Sequence, residues 1–158
     1  MLSMLLLWDR IKPARLRLKN PPKKIAAGRK AHEERLFRPD WEFYQRHLQR
    51  QVPPALRELY ADKDLLTAAS LNSTNANRIN DFQPLDEAGL VEANPVLNFD
   101  IAPIATTDVG DPIYLRPGKT EADTVYITHH DGGDTEVFAE SVAAMLGQLR
   151  QANPAANA

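Results

Sequence analysis

Two short acidic stretches hold the side chains of this chain that could do chemistry. Asp108-Val-Gly-Asp111 lies between two apolar runs, and His129-His-Asp-Gly-Gly-Asp134 follows a third. Carboxylate and imidazole groups gathered in turns can bind a metal ion, act in hydrolysis or contact a basic protein. They can also do no more than shape the turns, because Asp and Gly are common turn residues. The rest of the sequence has to separate these interpretations.

The turn between Asp108 and Asp111 supplies only part of a metal site. Two aspartates three positions apart offer hard oxygen ligands, but the EF-hand spacing is absent. We expect both side chains to cap a tight turn, with Gly110 at a positive φ that a larger residue would resist. The remaining interpretation is a partner contact, in which exposed aspartates meet Lys or Arg.

The pair His129 and His130 resembles a metal cluster at first sight. Consecutive side chains of a strand point to opposite faces, so the two rings are poorly placed to share one ion. The zinc motif with His at i and i+4 is absent, and Ser141 lacks a Gly-x-Ser-x-Gly elbow and suits a helix cap. We therefore predict structural or surface histidines, with no catalytic residue, no metal and no cofactor. A hydrolase that uses His129, His130 and the nearby aspartates is kept as a third hypothesis.

Composition limits the class of protein. The chain has 158 residues, of which 43% are hydrophobic, and it contains no cysteine. This length suits one domain with an extension. The lack of cysteine excludes a disulfide framework, a thiolate metal site and a cysteine nucleophile. It is also compatible with the cytoplasm, where we expect the protein to act.

The near-neutral net charge of −2 hides a basic front and an acidic body. Residues 1–40 hold eleven basic and four acidic residues, a net charge of +7. Residues 41–158 hold eight basic and seventeen acidic residues, a net charge of −9. An acidic body repels nucleic acid and suits a basic protein partner.

Residues 1–38 are predicted to form a basic N-terminal extension. The apolar run at Met1–Trp8 has no preceding positive charge and no small-residue cleavage site, so we do not expect a signal peptide. No run approaches the length of a membrane span. A short helix over 2–11 and a linker over 19–24 are predicted. The segment could dock on the body or stay loose, contact a membrane surface, or bind a partner chain.

The rest of the chain, 39–152, is predicted to be one α+β domain, followed by a frayed tail over 153–158. Strands that follow one another with short turns indicate an antiparallel sheet, here flanked by N-terminal helices and a C-terminal helix. The first half of the domain is predicted to contain a helix over 40–51, a helix after Pro53-Pro54 with Leu56, Leu59 and Tyr60 buried, a strand over 65–71 and a polar loop over 72–77. A helix over 84–92 and a strand over 97–101 follow, and then a strand on each side of the 108–111 turn and a strand over 123–128. The last predicted element is a helix over 137–151 with Val142, Met145, Leu146 and Leu149 on its buried face.

The order and spacing of several motifs between residues 40 and 150 resemble the SUKH superfamily. These motifs are Val52-Pro-Pro-Ala-Leu-Arg-Glu-Leu-Tyr60, Phe82-Gln-Pro-Leu85, Phe99-Asp-Ile-Ala102, Asp108-Val-Gly-Asp111-Pro-Ile-Tyr-Leu115, Thr124-Val-Tyr-Ile-Thr-His129 and Phe138-Ala-Glu-Ser-Val-Ala-Ala-Met-Leu146. The resemblance implies an α+β fold that binds proteins and does not catalyse. Many bacterial members of that superfamily look like immunity proteins that neutralise toxins, often nucleases.

The sequence thus predicts a non-enzymatic immunity protein that occludes a basic toxin domain. The alternative is a scaffold or regulatory module that docks through its basic N-terminal segment. An acidic surface would attract a basic partner and steer its approach. The residues predicted to contact the partner are Asp62, Asp64, Asp108, Asp111, Asp131, Asp134 and Glu136.

Overall fold

The computed structural model describes residues 22–69, 79–93 and 101–154 of the chain. The chain divides into two compact units, Met1–Glu34 and Arg35–Ala158. Helix α1, Pro22–Leu36, crosses this boundary, so its last two residues belong to the second unit. The predicted linker is wrong for residues 22–24, because a proline suits the first turn of a helix and here begins one. The predicted helix over 2–11 lies outside the described residues.

The second unit begins before the predicted domain start at residue 39. Leu36 is only 5% exposed and belongs to the hydrophobic core. Arg35 forms a salt bridge with Asp86, with Nη2 and Oδ1 3.0 Å apart. Residues 35–38 are therefore part of the body and not of the extension.

The two predicted helices after residue 40 are confirmed. Helix α2, Trp41–Leu48, begins where the Asp40 carboxylate accepts the backbone N–H of Phe43 at 3.1 Å, and it ends at Gln49, whose φ is 64°. Helix α3, Pro54–Ala61, has proline in its first turn, as the paired prolines predicted. The buried faces of these helices consist of Tyr44, Leu48, Leu56, Leu59 and Tyr60.

The predicted strand over 65–71 is wrong where the structure describes it. Residues Lys63–Ala69 form helix α4, and Leu65 and Leu66 are fully buried. Asp62 begins this helix, since its Oδ1 accepts the backbone N–H of Leu65 at 3.0 Å. A short apolar run fits a buried strand and a buried helix equally well, and here the Asp62 cap favours the helix.

A short strand that the sequence analysis did not predict precedes the next helix. Strand β1 is Ile79–Phe82, and helix α5 is Glu87–Ala93, close to the predicted helix over 84–92. The predicted polar loop over 72–77 and residues 97–100 of the predicted strand lie outside the described residues. Ile101 precedes strand β2 and is not itself in a strand.

The sheet has five antiparallel strands in the sequential order β1-β2-β3-β4-β5. Its remaining strands are β2 Ala102–Thr107, β3 Pro112–Leu115, β4 Val125–Thr128 and β5 Thr135–Ala139. The α+β class, with helices before the sheet and one after it, is confirmed. Short turns join β2 to β3 and β4 to β5, whereas helix α5 lies between β1 and β2 and a loop over 116–124 joins β3 to β4. Sequential antiparallel strands need no crossover, which suits this meander.

The predicted start of the last helix at residue 137 is wrong. Residues Thr135–Ala139 pair with β4, and helix α6 is Val142–Ala152. The Ser141 hydroxyl accepts the backbone N–H of Ala144 at 3.0 Å, so the predicted capping role of Ser141 is confirmed. The predicted buried face of the helix is also confirmed, and it consists of Val142, Met145, Leu146 and Leu149.

The end of the described chain is less frayed than predicted. Asn153 is 4% exposed, and its side-chain amide donates to the carbonyl of Leu149 at 2.8 Å. Residues 155–158 lie outside the described residues. Within the described ranges no helix has the length and apolar character that a bilayer crossing requires.

Candidate functional site

The predicted partner-binding residues fall into two groups. Asp62 caps α4 and Asp64 lies in its first turn, so both belong to the helical part of the body. Of the other five, Asp108 and Asp111 lie in the β2–β3 turn, Asp131 and Asp134 lie in the β4–β5 turn, and Glu136 lies in β5. Asp108, Asp131, Asp134 and Glu136 are exposed, whereas Asp111 is buried.

The prediction that the Asp111 side chain caps its own turn is wrong. Thr107 closes the β2–β3 turn: its backbone N–H donates to the carbonyl of Asp111 at 2.9 Å, and its hydroxyl accepts the Asp111 N–H at 3.0 Å. Gly110 has a φ of 86°, as the sequence predicted. The carboxylate of Asp111 therefore remains available for bonds outside the turn.

The sheet register places His129 opposite Asp111. Ile113 of β3 pairs with Ile127 of β4. In an antiparallel ladder, Asp111, two residues before Ile113, therefore lies opposite His129, two residues after Ile127. Nδ1 of His129 lies 3.1 Å from Asp111 Oδ2, and Nε2 of the same ring lies 3.3 Å from Glu136 Oε2. The ring thus spans two carboxylates, one on each side.

His130 binds the same aspartate. Its backbone N–H donates to Asp111 Oδ1 at 3.0 Å, its Nδ1 lies 2.5 Å from that oxygen, and its Nε2 lies 3.0 Å from Asp131 Oδ1. The prediction that the two histidines point to opposite faces is wrong. The strand ends at Thr128, and the turn that begins there directs both rings toward one carboxylate.

Asp111, His129 and His130, with Glu136 and Asp131 beyond them, are called the histidine clamp below. The clamp joins the β2–β3 turn to the β4–β5 turn. The β4–β5 turn itself is closed by backbone bonds from His129 N–H to the Asp134 carbonyl at 2.9 Å and from Gly133 N–H to the His129 carbonyl at 2.8 Å. Gly133 takes a φ of 72°, which favours glycine there.

The clamp favours protonated histidines. Ionised carboxylates only accept hydrogen bonds, so both contacts of each ring form only when both ring nitrogens carry protons. The hydrogen bonds to Glu136 and then to Asp111 raise the pKa of His129. The hydrogen bond to Asp111, followed by the charge of Asp131, raises the pKa of His130.

The pKa of Asp111 shifts in the opposite direction to those of the two histidines. Burial disfavours its charged form, but the hydrogen bonds from His130 and His129 outweigh burial and lower the pKa of Asp111 below its usual value. The ionised carboxylate of Asp111 favours the protonated form of both rings, whereas the charge of His129 opposes protonation of His130. The positive rings also offset part of the negative charge that the acidic residues give this end of the sheet.

Both rings of the clamp have a carboxylate against each of their two nitrogens. A doubly protonated imidazole has no lone pair with which to take a proton or bind a metal ion. A groove of about 510 Å³ lies beside the two rings, with Gly110, Pro112 and Glu92 in its wall. Among the described residues, no three His, Asp or Glu side chains converge in a way that could hold a metal ion.

The β4–β5 hairpin exposes a different kind of surface. Residues 125–140 contain four acidic residues and no Lys or Arg. Val137 of β5 is 58% exposed, and its cross-strand partner Tyr126 lies under the guanidinium of Arg116, which is 3.9 Å from the ring centre. Thr135, Glu136 and Val137 are all exposed along the same strand.

Sequence reasoning identified the acidic side chains at this end of the sheet but missed the histidine clamp. The missing signal was the register: once β3 and β4 are paired, the position opposite Asp111 follows by counting. We compared the chain with protein-family models, curated proteins and solved structures, and none of the three comparisons found a match.

Proposed function

We propose that the body of this chain is a non-enzymatic protein-binding domain that takes a basic protein as its partner. In the form we favour, it is a cytoplasmic immunity protein of the SUKH kind that occludes a nuclease toxin. A nuclease binds nucleic acid through a positively charged cleft, and an acidic protein surface complements such a cleft. The observation that carries the proposal is the exposed acidic β4–β5 hairpin.

The contact residues we propose are Asp131, Asp134 and Glu136. All three are exposed, and they lie within six positions of one another on a turn and the strand after it. Asp111 is withdrawn from the contact surface because it is only 3% exposed and its carboxylate is held by the histidines. Its role in the proposal is to fix the shape of the hairpin.

The histidine clamp supports a binding role over the hydrolase hypothesis. A hydrolase needs a base with a free lone pair, whereas each ring here has both nitrogens against carboxylates. A binding surface needs a fixed backbone, because ordering a loose turn on binding costs conformational entropy. The clamp supplies that order before a partner arrives.

The experiment is a capture from the native host with the full chain as bait, at low and at moderate salt, read by mass spectrometry. The test bait carries Asp131→Lys and Asp134→Lys. The control bait carries Glu42→Lys and Glu121→Lys, which reverse the same number of charges at exposed positions outside the hairpin. We expect one basic protein that wild type and control retain at low salt and the test bait loses.

Equal retention by all three baits would reject the hairpin as the contact surface. A set of unrelated host proteins would favour the alternative, a scaffold that docks through its basic N-terminal segment. The basic front of +7 and the exposed Arg29 and Lys30 of α1 favour that alternative. Deleting residues 1–34 separates the two functions, because it removes Arg29 and Lys30 but spares Leu36 and the Arg35–Asp86 salt bridge of the body.

A further inference from the structure

We propose that the outer edge of β5 takes up an extended basic segment of the partner protein as an additional strand of the sheet. This inference rests on the proposed function and specifies how the partner is held. It concerns the backbone of Thr135–Ala139 and not only the charges around it.

Strand β5 ends the sheet on one side. It pairs with β4, and within the described ranges no strand pairs with its other edge. Such an edge presents unpaired N–H and C=O groups, which a further strand can satisfy. The hydrogen bonds of that ladder supply affinity that needs no special side-chain fit.

The register indicates which groups are free. The His129 N–H donates to the Asp134 carbonyl, and Ile127 pairs with Glu136 two residues further along. In an antiparallel ladder the bonded positions alternate, so Glu136 bonds toward β4. The N–H and C=O groups of Thr135 and Val137 therefore point away from β4, toward an incoming strand.

The side chains of β5 define the chemistry of that strand. Glu136 lies on one face of the sheet, and Thr135 and Val137 lie on the other, so the edge exposes an acid on one face and an apolar side chain beside a threonine on the other. A segment in which basic and apolar residues alternate matches both faces at once. Cross-strand pairs of opposite charge and of apolar side chains each stabilise such a ladder.

The edge is protected against pairing only near Ala139, where the register shifts between the Tyr126–Val137 and Val125–Ala139 pairs. Natural sheets also block an edge with Lys or Pro, and β5 has neither in its five residues, so Thr135–Val137 are open to a further strand. A second copy of this chain is a poor occupant, because each copy would bring Asp131, Asp134 and Glu136 to the same interface. A basic partner removes that repulsion.

The test uses a short synthetic peptide in which lysine and valine alternate, titrated into the full chain and followed by the amide resonances of β5. We expect the Thr135 and Val137 amides to shift and to become protected from exchange. Val137→Pro should weaken binding about tenfold, because it removes one outward N–H and leaves the bonds to β4. Val137→Thr keeps the N–H and should bind within a few-fold of wild type.

A second probe leaves the protein unchanged and so avoids any folding defect of the proline variant. The same peptide with alternate backbone nitrogens methylated keeps its charges and side chains but cannot form the ladder. Equal binding of the two peptides, or binding that only charge reversal at Asp131 and Asp134 abolishes, would overturn strand addition. Neither result would contradict the acidic contact surface, so strand addition can be rejected without rejecting the proposed function. Absence of binding by the unmodified peptide would also overturn strand addition, while the capture experiment still decides the function.

Discussion

Asp111 and His130 are joined twice, through the backbone and through the ring. The His130 N–H donates to Asp111 Oδ1 at 3.0 Å, and Nδ1 of the ring lies 2.5 Å from the same oxygen. The buried side chain of Asp111, which is only 5% exposed, thereby holds the first residue of the β4–β5 turn against the start of β3. The shape of the proposed binding edge depends on this contact.

Replacement of Asp111 tests that dependence. Asp111→Asn keeps the size of the side chain but removes the charge, so the hydrogen bonds from His129 and His130 weaken. We expect the free energy of unfolding to fall by about 2 kcal/mol, as measured by urea denaturation. The matched control Asp108→Asn changes an exposed aspartate of the same turn and should alter it by less than about 0.5 kcal/mol. Equal effects of the two changes would show that the clamp contributes nothing specific.

The stability of the clamp should depend on pH in two opposite ways. The pKa values of His129 and His130 are raised above 6.5, so their contribution is complete below pH 6.5 and is lost as pH rises through the raised values. The pKa of Asp111 is lowered below 3.8, so its contribution is complete above pH 3.8 and is lost as pH falls through the lowered value.

The clamp should therefore stabilise the fold most between these limits. The measurement is the difference in unfolding free energy between wild type and a His129→Gln, His130→Gln variant across pH. We expect this difference to be largest between about pH 4 and 6.5. A difference that stays constant from pH 4 to 9 would contradict the protonation we assign to the rings.

Two turn glycines and one helix glycine make a matched series. Gly110 and Gly133 have φ values of 86° and 72°, and no atom lies within 4 Å of an added Cβ at either position. Alanine at each should lower stability by about 1 kcal/mol through the backbone alone. Gly147→Ala in α6 also meets no atom and should instead raise stability by roughly 0.5–1 kcal/mol. Thermal unfolding of the three variants checks the signs, and a stabilising Gly110→Ala would contradict the turn geometry.

Arg50 holds the loop between β3 and β4. Its guanidinium donates to the carbonyls of Arg116 at 2.7 Å and Ala122 at 3.1 Å, and its Nε donates to the Asp123 carboxylate at 3.1 Å. Lysine cannot reproduce this fork, so Arg50→Lys should cost about 1–2 kcal/mol and speed amide exchange over residues 116–124. Arg46→Lys, at an exposed position of α2 outside this loop, is the control. Unchanged exchange in Arg50→Lys would mean that the loop is ordered by other contacts.

Much of the fold could be predicted from local sequence signals. Asp40 and Pro54 begin helices where expected, and the period of apolar residues gives the buried face of α6. The errors fall where local patterns are ambiguous. Leu65 and Leu66 fit a strand or a helix, and only the bond from the Leu65 N–H to Asp62 separates them.

The candidate site was harder to predict because its bonds join residues far apart in the sequence. Asp111 and His129 come together only through the pairing of β3 with β4. Treating His129 and His130 as strand residues put them on opposite faces, whereas the turn that begins after Thr128 brings them together. The exposed acids of the hairpin needed no such knowledge, since composition and turn residues already indicate them.

The most direct test of the central claim is the association rate of the captured basic partner with the full chain, measured at several salt concentrations. The variants are Asp131→Lys with Asp134→Lys, and the control Glu42→Lys with Glu121→Lys. If the acidic hairpin is the contact surface, the hairpin variant should associate at least tenfold more slowly than the control at low salt, and the gap should shrink as salt rises. Equal rates for the two variants at every salt concentration would contradict the account.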